Sequence, residues 1–249
     1  MLAAALLAGC ASTPAAPASP TETVVPTQTW PDALIGKARV LSILGDPTYS
    51  IAGTRAPLSL NLTLVSGTSI KTGPDSDAYL HINGRISTIM VHEDTELDLT
   101  KMEGSAIQTD AATETILTLT NGSIFGDVKK LPAKSHYAIC TPNGVAEIRG
   151  TDFAISATPL ADGRIRVTFT CFDGQLLVTS TINGVSVTKP VATDQQWTPG
   201  EGDVSSVVKQ LGPSVMPPPP LPPVILQRPY NNGAPPNPAV DVVHPVKGK

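Results

Sequence analysis

The sequence holds few residues whose type and spacing could support catalysis or metal binding. Ser135 and His136 are neighbours, but adjacent residues of a strand point to opposite faces, so they cannot act as a nucleophile and its base. No Gly-x-Ser-x-Gly motif is present. The four histidines show no H-x-x-x-H or His/Cys spacing of the kind that holds zinc: His81, His92, His136 and His244. The residues therefore predict a protein that is not an enzyme and has neither a metal site nor a cofactor.

The acidic run HEDTELD, at residues 92–98, is a further candidate because carboxylates bind cations. It lacks the alternating acids and the glycine of a calcium-binding loop. The alternation of Leu97 and Leu99 instead predicts the end of a solvated strand. Asp75 and Asp77 are most simply part of a turn.

The charge balance argues against nucleic acid as a partner. The net charge is −4 and the isoelectric point is near 5.5, while the longest run of basic residues is Lys129-Lys130. A nucleic-acid-binding surface needs a basic patch or stripe. Aromatic residues make up 4% of the chain, which also disfavours surfaces on which bases or sugars stack.

Cys10 is the one residue for which the sequence predicts a covalent modification. It ends the stretch MLAAALLAGC, which resembles a bacterial lipobox, in which the cysteine thiol receives a diacylglyceryl group. The alternative is an ordinary secretory cleavage site with a chance cysteine. The Pro/Ser/Thr/Ala-rich stretch that follows suits a tether and favours lipidation. Ala11 after the cysteine predicts sorting to the outer membrane, with the protein facing the periplasm.

The two remaining cysteines, Cys140 and Cys171, leave two possibilities open. An oxidising compartment allows a disulfide between them. Each also lies in an apolar strand, where a buried thiol is ordinary, and spacing alone does not bring two cysteines within bonding reach.

The distribution of proline predicts the domain limits. Of 25 prolines, five lie in residues 1–31 and twelve in residues 213–249, which leaves eight for the 181 residues between. We therefore predict a signal peptide at 1–10, a linker at 11–33, one β domain at 34–203 and a disordered Pro-rich tail at 204–249. The apolar start is too short to span a bilayer, which takes about 20 residues.

The central region has the pattern of an all-β domain. Asn-Gly and Asp-Gly pairs, which favour tight hairpin turns, recur between short stretches that alternate apolar and polar residues, as in RIRVTFTCF. No stretch of a dozen residues has a helical period. We predict a single antiparallel β-sandwich or β-roll whose longest loops are Gly45–Leu58 and Gly104–Glu114.

Gly150 interrupts this pattern within TPNGVAEIRGTDFAI. The apolar residues before it, Ala146 and Ile148, are even-numbered, while Phe153 and Ile155 after it are odd-numbered. A strand alternates with a period of two, so a bulge or a passage between sheets is needed at Gly150 to keep both pairs inside. The neighbouring Arg149 and Thr151 then have two interpretations: donors to backbone carbonyls freed by the bulge, which we favour, or contacts with a partner.

The order of motifs along the chain resembles the FecR domain. The matching elements are TGPDS at residues 72–76, AYLHINGR, LTLTNGSIFGDVKK, the stretch around Gly150 and RVTFTCFDGQLLV. The residues that carry the resemblance, and that we interpret as structural, are Thr72, Gly73, Ser76, Thr141, Pro142, Arg149, Gly150, Thr151 and Phe153.

The resemblance implies an extracytoplasmic β domain of the kind found in regulators of iron-uptake sigma factors. We accordingly predict a non-catalytic, lipid-anchored module of the bacterial cell envelope that binds a protein or another envelope component. Two alternatives remain: a regulator that relays a signal to an extracytoplasmic sigma factor, and a module that binds peptidoglycan or polysaccharide.

Overall fold

The computed structural model describes residues 36–84, 86–104, 112–182, 184–200 and 209–211. Within these ranges all regular secondary structure is β-strand, which confirms the all-β prediction. The strands are β1 Lys37–Leu44, β2 Thr48–Ile51, β3 Thr54–Pro57, β4 Thr63–Val65, β5 Thr68–Lys71, β6 Asp77–Ile82, β7 Ser87–Val91, β8 Glu96–Glu103, β9 Glu114–Val128, β10 His136–Thr141, β11 Gly144–Ile148, β12 Thr151–Pro159, β13 Ile165–Asp173, β14 Gln175–Ile182, β15 Val185–Ala192, β16 Gln195–Trp197 and β17 Lys209–Gln210.

The strands form two layers that share β9. The first layer has the order β4-β1-β6-β7-β9-β12-β13-β16-β17. The second layer has the order β3-β2-β5-β8-β9-β10-β11-β14-β15. The first half of β9 pairs in the second layer and its second half, from Gly122, pairs in the first. One strand of 15 residues therefore joins the layers.

The expectation of a purely antiparallel sheet is wrong at one pair, because β9 and β10 run parallel. Parallel neighbours need a crossover connection. Here the second half of β9 lies in the first layer. Residues 129–135 therefore return the chain to the second layer, where His136 of β10 pairs with Glu114 of β9. The fold is thus all-β with a mixed sheet. The proline-rich ends predicted to be disordered lie outside the described residues.

The inner faces of both layers form one hydrophobic core. Its largest fully buried side chains include Trp197, Tyr137, Phe153 and Phe169. Each such side chain contributes about 1.5–3 kcal/mol relative to exposure. A buried hydrogen bond of 2.8 Å joins the hydroxyls of Ser87, on β7, and Tyr137, on β10, and so connects the two layers directly. The alternation of apolar residues in the sequence is what places these side chains on one face.

The stretch around Gly150 is a corner between layers. β11 belongs to the second layer and β12 to the first, so the chain changes layer at Arg149-Gly150. Gly150 has a φ of +97°, and a Cβ there would lie 3.0 Å from Cα of Lys130. The in-strand bulge lies nearby on β13, where Phe172 is skipped between the pairs Asp152–Asp173 and Phe153–Cys171. The change of parity in the sequence therefore reflects a change of layer.

The expectation of a long loop at Gly45–Leu58 is wrong. This segment contains the hairpin of β2 and β3, which turns at Ala52-Gly53 with φ angles of +48° and +80°. Both turn residues have the positive φ that two-residue hairpins favour, but the Ala-Gly pair is not among the usual sequence signals. The second expected loop, Gly104–Glu114, falls mostly outside the described residues.

The two ends of this layered body differ. At one end, which we call the exit end, Gly36 donates to Asn83 Oδ1 at 2.6 Å and Leu211 donates to the carbonyl of Asp194 at 2.7 Å, so the first and the last described residues lie here. The corner at Gly150 lies at this end, because Thr151 pairs with Val128. The opposite end, which we call the cleft end, contains the bend of β9 at Gly122 and the turn that follows Pro159.

Candidate functional site

The motif residues Thr72, Gly73 and Ser76 form a turn that fastens the connection between β7 and β8. The hydroxyl of Thr72 accepts a hydrogen bond from the Thr95 amide at 2.9 Å and donates to the carbonyl of His92 at 2.5 Å. The Gly73 carbonyl accepts from the amide of Asp94. The Ser76 hydroxyl donates to the Pro74 carbonyl and accepts from the Asp46 amide. Thr72 and Ser76 are buried, so these contacts hold the turn from inside.

The motif residues Thr141 and Pro142 lie in the β10–β11 turn, at the cleft end. The Thr141 hydroxyl donates to the carbonyl of Gly144 at 2.8 Å and closes the turn. Asn143 connects the layers, because its side-chain amide donates to the Ile165 carbonyl at 2.7 Å and its own carbonyl accepts from the Ser180 hydroxyl. Pro142 is exposed. This turn therefore joins the two layers at the cleft end through Asn143, and we call it the Asn143 clip.

The remaining motif residues are at the exit end or in the core. The Thr151 hydroxyl donates to the carbonyl of Gln175 at 2.9 Å, which is a backbone contact of the type expected at a corner. Arg149 is exposed and has no hydrogen bond or ion pair among the described residues. Phe153 is fully buried against Gly126. The motif residues therefore do not converge on one site.

The structure contains a cleft of about 710 Å³ at the cleft end. One wall comes from the second layer, with the β10–β11 turn and the second half of β14. The other comes from the first layer, with the β12–β13 turn and the start of β13. Residues that follow β16 complete it. The lining residues are Pro142, Asn143, Gly144, Val145, Leu160, Arg164, Ile165, Arg166, Thr179, Ser180, Thr181, Pro199 and Gly200.

The charged residues of the cleft lining are two arginines, although the net charge of the whole chain is −4. Arg164 and Arg166 line it, and no aspartate or glutamate is among the described residues that do so. Arg164 is paired at 2.7 Å with Asp162, at the tip of the β12–β13 turn, and this contact raises the pKa of Arg164 and lowers that of Asp162. The lining also offers apolar surface at Val145 and Leu160. Such a surface suits an extended ligand with an acidic group.

Two of the sequence candidates for catalysis, His92 and Ser135, are held in structural contacts. His92 Nδ1 lies 2.8 Å from an Asp77 carboxylate oxygen, and the hydroxyl of buried Ser135 accepts from the Thr113 amide while His136 is exposed. Leu97, within the acidic run, is fully buried. Among the described residues, no group of three or more His, Cys, Asp or Glu is placed to hold a metal ion.

Cys140 and Cys171 are free thiols. They belong to different layers, with Cys140 half-buried on β10 and Cys171 fully buried on β13. Burial raises the pKa of the Cys140 thiol, and it raises the pKa of Cys171 to about 11. Both thiols are therefore protonated near neutral pH and are poor nucleophiles.

A row of carboxylates crosses the first layer near the exit end. Asp152 on β12 is paired in register with Asp127 on β9 and with Asp173 on β13. Partial burial, followed by repulsion from Asp127 and Asp173, raises the pKa of Asp152.

Residues 68–176 match the model of the family described as FecR protein. This segment is a FecR domain. It runs from β5 to the start of β14 and includes all nine motif residues and much of the cleft lining.

The structure is also similar to two crystal structures, at 1.65 Å and 2.50 Å resolution, of an anti-sigma factor candidate from Parabacteroides distasonis ATCC 8503. The sequence identities are 12% and 11% and the TM-scores are 0.43 and 0.44. Each match covers 57% of this chain and 59% of the other, so the chain spans less than two thirds of the length of these structures. No curated protein sequence matches the chain.

Sequence reasoning about the FecR domain missed the cleft. Asn143-Gly144 and Asp162-Gly163 were identifiable as turns, and Arg166 as an outward residue of an alternating strand. Nothing in their spacing indicates that these turns face each other, because they lie in different layers. Cys10, the predicted lipid attachment site, lies outside the described residues. No helix among the described residues is long and apolar enough to cross a membrane.

Proposed function

We propose that this protein is a non-catalytic module of the bacterial cell envelope whose FecR domain captures a partner protein at the cleft end. The observation that carries the proposal is the arginine-lined cleft, which lies at the end opposite to Gly36 and Leu211. Binding modules commonly place recognition on turns that a rigid framework holds in position. Here the Asn143 clip supplies that rigidity, and the arginines supply charge complementarity for an acidic segment of the partner.

The cleft can be tested by exchanging charges without changing the net charge. In the double variant Asp162→Arg and Arg164→Asp, the two opposite charges are retained, but a negative charge replaces the positive one at position 164 of the cleft lining. The matched control exchanges another exposed pair, Lys71→Glu with Glu96→Lys, whose atoms lie 3.3 Å apart on β5 and β8.

We expect the first exchange to weaken partner capture at least tenfold, measured by crosslinking in intact cells and identification of the captured protein. The control exchange should leave capture unchanged, and both variants should melt within a few degrees of the wild type. Equal capture by the two variants would show that the cleft is not the binding site.

The absence of catalysis is part of the proposal. Its support is that His92 and Ser135 are engaged in structural contacts. Changing His136 to Ala or Asp152 to Asn should alter capture only as far as it alters the folded fraction. Loss of a measurable turnover from a stably folded His136→Ala variant would overturn this part.

The anchor is proposed separately. We propose that Cys10 carries lipid and holds the protein at the outer membrane, facing the periplasm, with residues 11–33 as the tether. In this proposal Cys10→Ser moves the protein from membranes washed at high salt, which weakens purely electrostatic binding, to the soluble periplasmic fraction. A variant that stays with the salt-washed membranes would rule out the lipid anchor without affecting the cleft proposal.

A role in signal relay is the second candidate, and the FecR match favours it. In this case the captured partner belongs to a system that controls an extracytoplasmic sigma factor. Deleting the gene should then change transcription from promoters of that sigma factor, and the cleft exchange should reproduce the deletion. The third candidate, binding to peptidoglycan or polysaccharide, would instead make the purified protein sediment with isolated cell wall.

A further inference from the structure

The positive charges of the described residues are distributed unevenly. Some lysines and arginines are engaged with carboxylates, an amide oxygen or an aromatic ring, as in the pairs Lys71–Glu96 and Lys101–Glu114. Six make no hydrogen bond, ion pair or ring contact among the described residues, and five of these six, all but Arg55, lie at the exit end. The six are Lys37, Arg55, Lys129, Lys130, Lys134 and Arg149.

The fold holds four of these cations together. Lys129 donates its amide to the carbonyl of Ile86 at 2.9 Å, which fixes the start of the crossover at residues 129–135. The corner at Gly150 packs directly on the backbone of Lys130, so Arg149 stands beside this crossover. A turn in which Ser135 donates to the Pro132 carbonyl holds Lys134 in the same segment. Lys129, Lys130, Lys134 and Arg149 are all exposed, and we call them the exit-end cations.

Acidic residues also lie near this end, among them Asp194 in the turn before β16. Asp127, Asp152 and Asp173 form a row across the strands of the first layer, and Glu147 is exposed on β11 of the second. None of them is in an ion pair with an exit-end cation. The cations of the crossover and the corner are therefore not neutralised by a direct ion pair among the described residues.

We propose that the exit end is a membrane-docking surface that binds the headgroups of anionic phospholipids. Lysine ammonium groups and the arginine fork both bind phosphate, and clusters of such groups bind anionic lipid surfaces. Gly36, the described residue nearest in sequence to Cys10, lies at this same end. The inference rests on the proposed placement at a membrane and is independent of the cleft.

Docking would fix the orientation of the domain relative to the membrane. Residues 11–35 separate Cys10 from Gly36, and a chain of this length reaches at most about 90 Å when extended. A tether of that reach permits any orientation of the domain. Contact between the exit-end cations and the membrane would direct the cleft away from the lipid, towards a partner.

The test uses the full chain with Cys10→Ser, so that no lipid anchor contributes. Its flotation is measured with vesicles of phosphatidylcholine mixed with phosphatidylglycerol, and with vesicles of phosphatidylcholine alone. The exit-end variant carries Lys129→Gln, Lys130→Gln and Arg149→Gln. The control variant carries Arg55→Gln, Lys71→Gln and Arg164→Gln, and so has the same net charge.

Each lysine or arginine at an anionic surface contributes about fivefold in affinity at moderate ionic strength, so the exit-end variant should lose on the order of 100-fold. The control should keep its binding to the mixed vesicles, and added salt should weaken that binding. Equal losses in the two variants, or binding that does not depend on phosphatidylglycerol, would overturn the proposal.

Two further measurements separate docking from folding and from the proposed function. The variant Lys129→Arg with Lys130→Arg keeps the charges and should float like the parent chain; if it does not, charge is not the cause. The exit-end variant should still capture the partner in solution, because the cleft is unchanged. If the parent chain captures the partner but does not bind the vesicles, docking alone is refuted. If the parent chain binds the vesicles but does not capture the partner, the cleft alone is refuted.

Discussion

The corner at Gly150 allows a graded test of the fold, because glycines in different surroundings provide matched controls. The perturbation is the addition of one methyl group, Gly150→Ala. The φ of +97° is unfavourable for alanine, which costs about 1–2 kcal/mol in the left-handed region. The new Cβ would also lie 3.0 Å from Cα and 3.3 Å from N of Lys130. These are backbone atoms, so the crossover itself has to move, and such overpacking costs about 1–3 kcal/mol.

The sum is about 3 kcal/mol for Gly150→Ala. For Gly163→Ala the φ is similarly positive, +81°, but no atom lies within 4 Å of the added Cβ, so only the backbone cost of about 1–2 kcal/mol remains. Gly73→Ala has neither problem and should be neutral within about 0.5 kcal/mol. Gly174→Ala should cost most, because its Cβ would clash with the carbonyl oxygen of Gly150.

Thermal unfolding of the full chain, followed by circular dichroism, measures this series. With a shift of about 2–4 °C per kcal/mol for a domain of this size, Gly150→Ala should lower Tm by about 10 °C and Gly163→Ala by about 4 °C. The order of destabilisation should be Gly174, Gly150, Gly163 and Gly73. If Gly150→Ala and Gly163→Ala melted at the same temperature, the close packing of the corner on the crossover would be refuted.

Three further predictions concern buried or repelling polar groups. Asp152→Asn should stabilise the domain at neutral pH by up to about 1 kcal/mol, because it removes the repulsion from Asp127 in the paired strand. Since folding raises the pKa of Asp152, the free energy of unfolding of the wild type should fall as pH rises from the ordinary aspartate pKa through the raised one. Chemical denaturation across acidic pH should show that the stability of Asp152→Asn depends less on pH. The same pH dependence in both proteins would refute the raised pKa of Asp152. Ser87→Ala leaves the Tyr137 hydroxyl buried without its partner and should cost about 1–3 kcal/mol, whereas adding Tyr137→Phe should recover part of that loss; strictly additive effects would count against the hydrogen bond between the layers. Thr72→Val should cost a similar amount in urea unfolding, because the buried amide of residue 95 loses its acceptor, and a neutral result would exclude this role for Thr72.

The choice of β structure was predictable because it rests on local patterns. Alternation in RIRVTFTCF puts Val167, Phe169 and Cys171 on one face, and all three are fully buried. The parity change around Gly150 required either a bulge or a change of layer, and no local pattern distinguishes the two. The choice depends on which strands β11 and β12 meet, and those partners, β14 and β9, lie far away in sequence.

The parallel pair of β9 and β10 was not predictable for a related reason. Turn signals such as Asn121-Gly122 predict a hairpin within one sheet, but here the chain bends there into the other layer and continues as the same strand. The preference of glycine for positive φ is satisfied equally by a hairpin turn and by this bend. Packing of Gly122 against Thr95 accompanies the bend, and Thr95 belongs to a separate turn.

The sequence by itself determined the all-β class, the FecR resemblance and the small number of residues with catalytic spacing, because each depends on residue types and short spacings. Only the tertiary structure decided where the surfaces lie. Arg164 and Arg166 face Asn143 across the cleft because two layers meet there, and Lys130 lies beside Arg149 because a crossover and a corner pack together. Such neighbours are set by the pairing of distant strands, which period-two patterns leave undetermined.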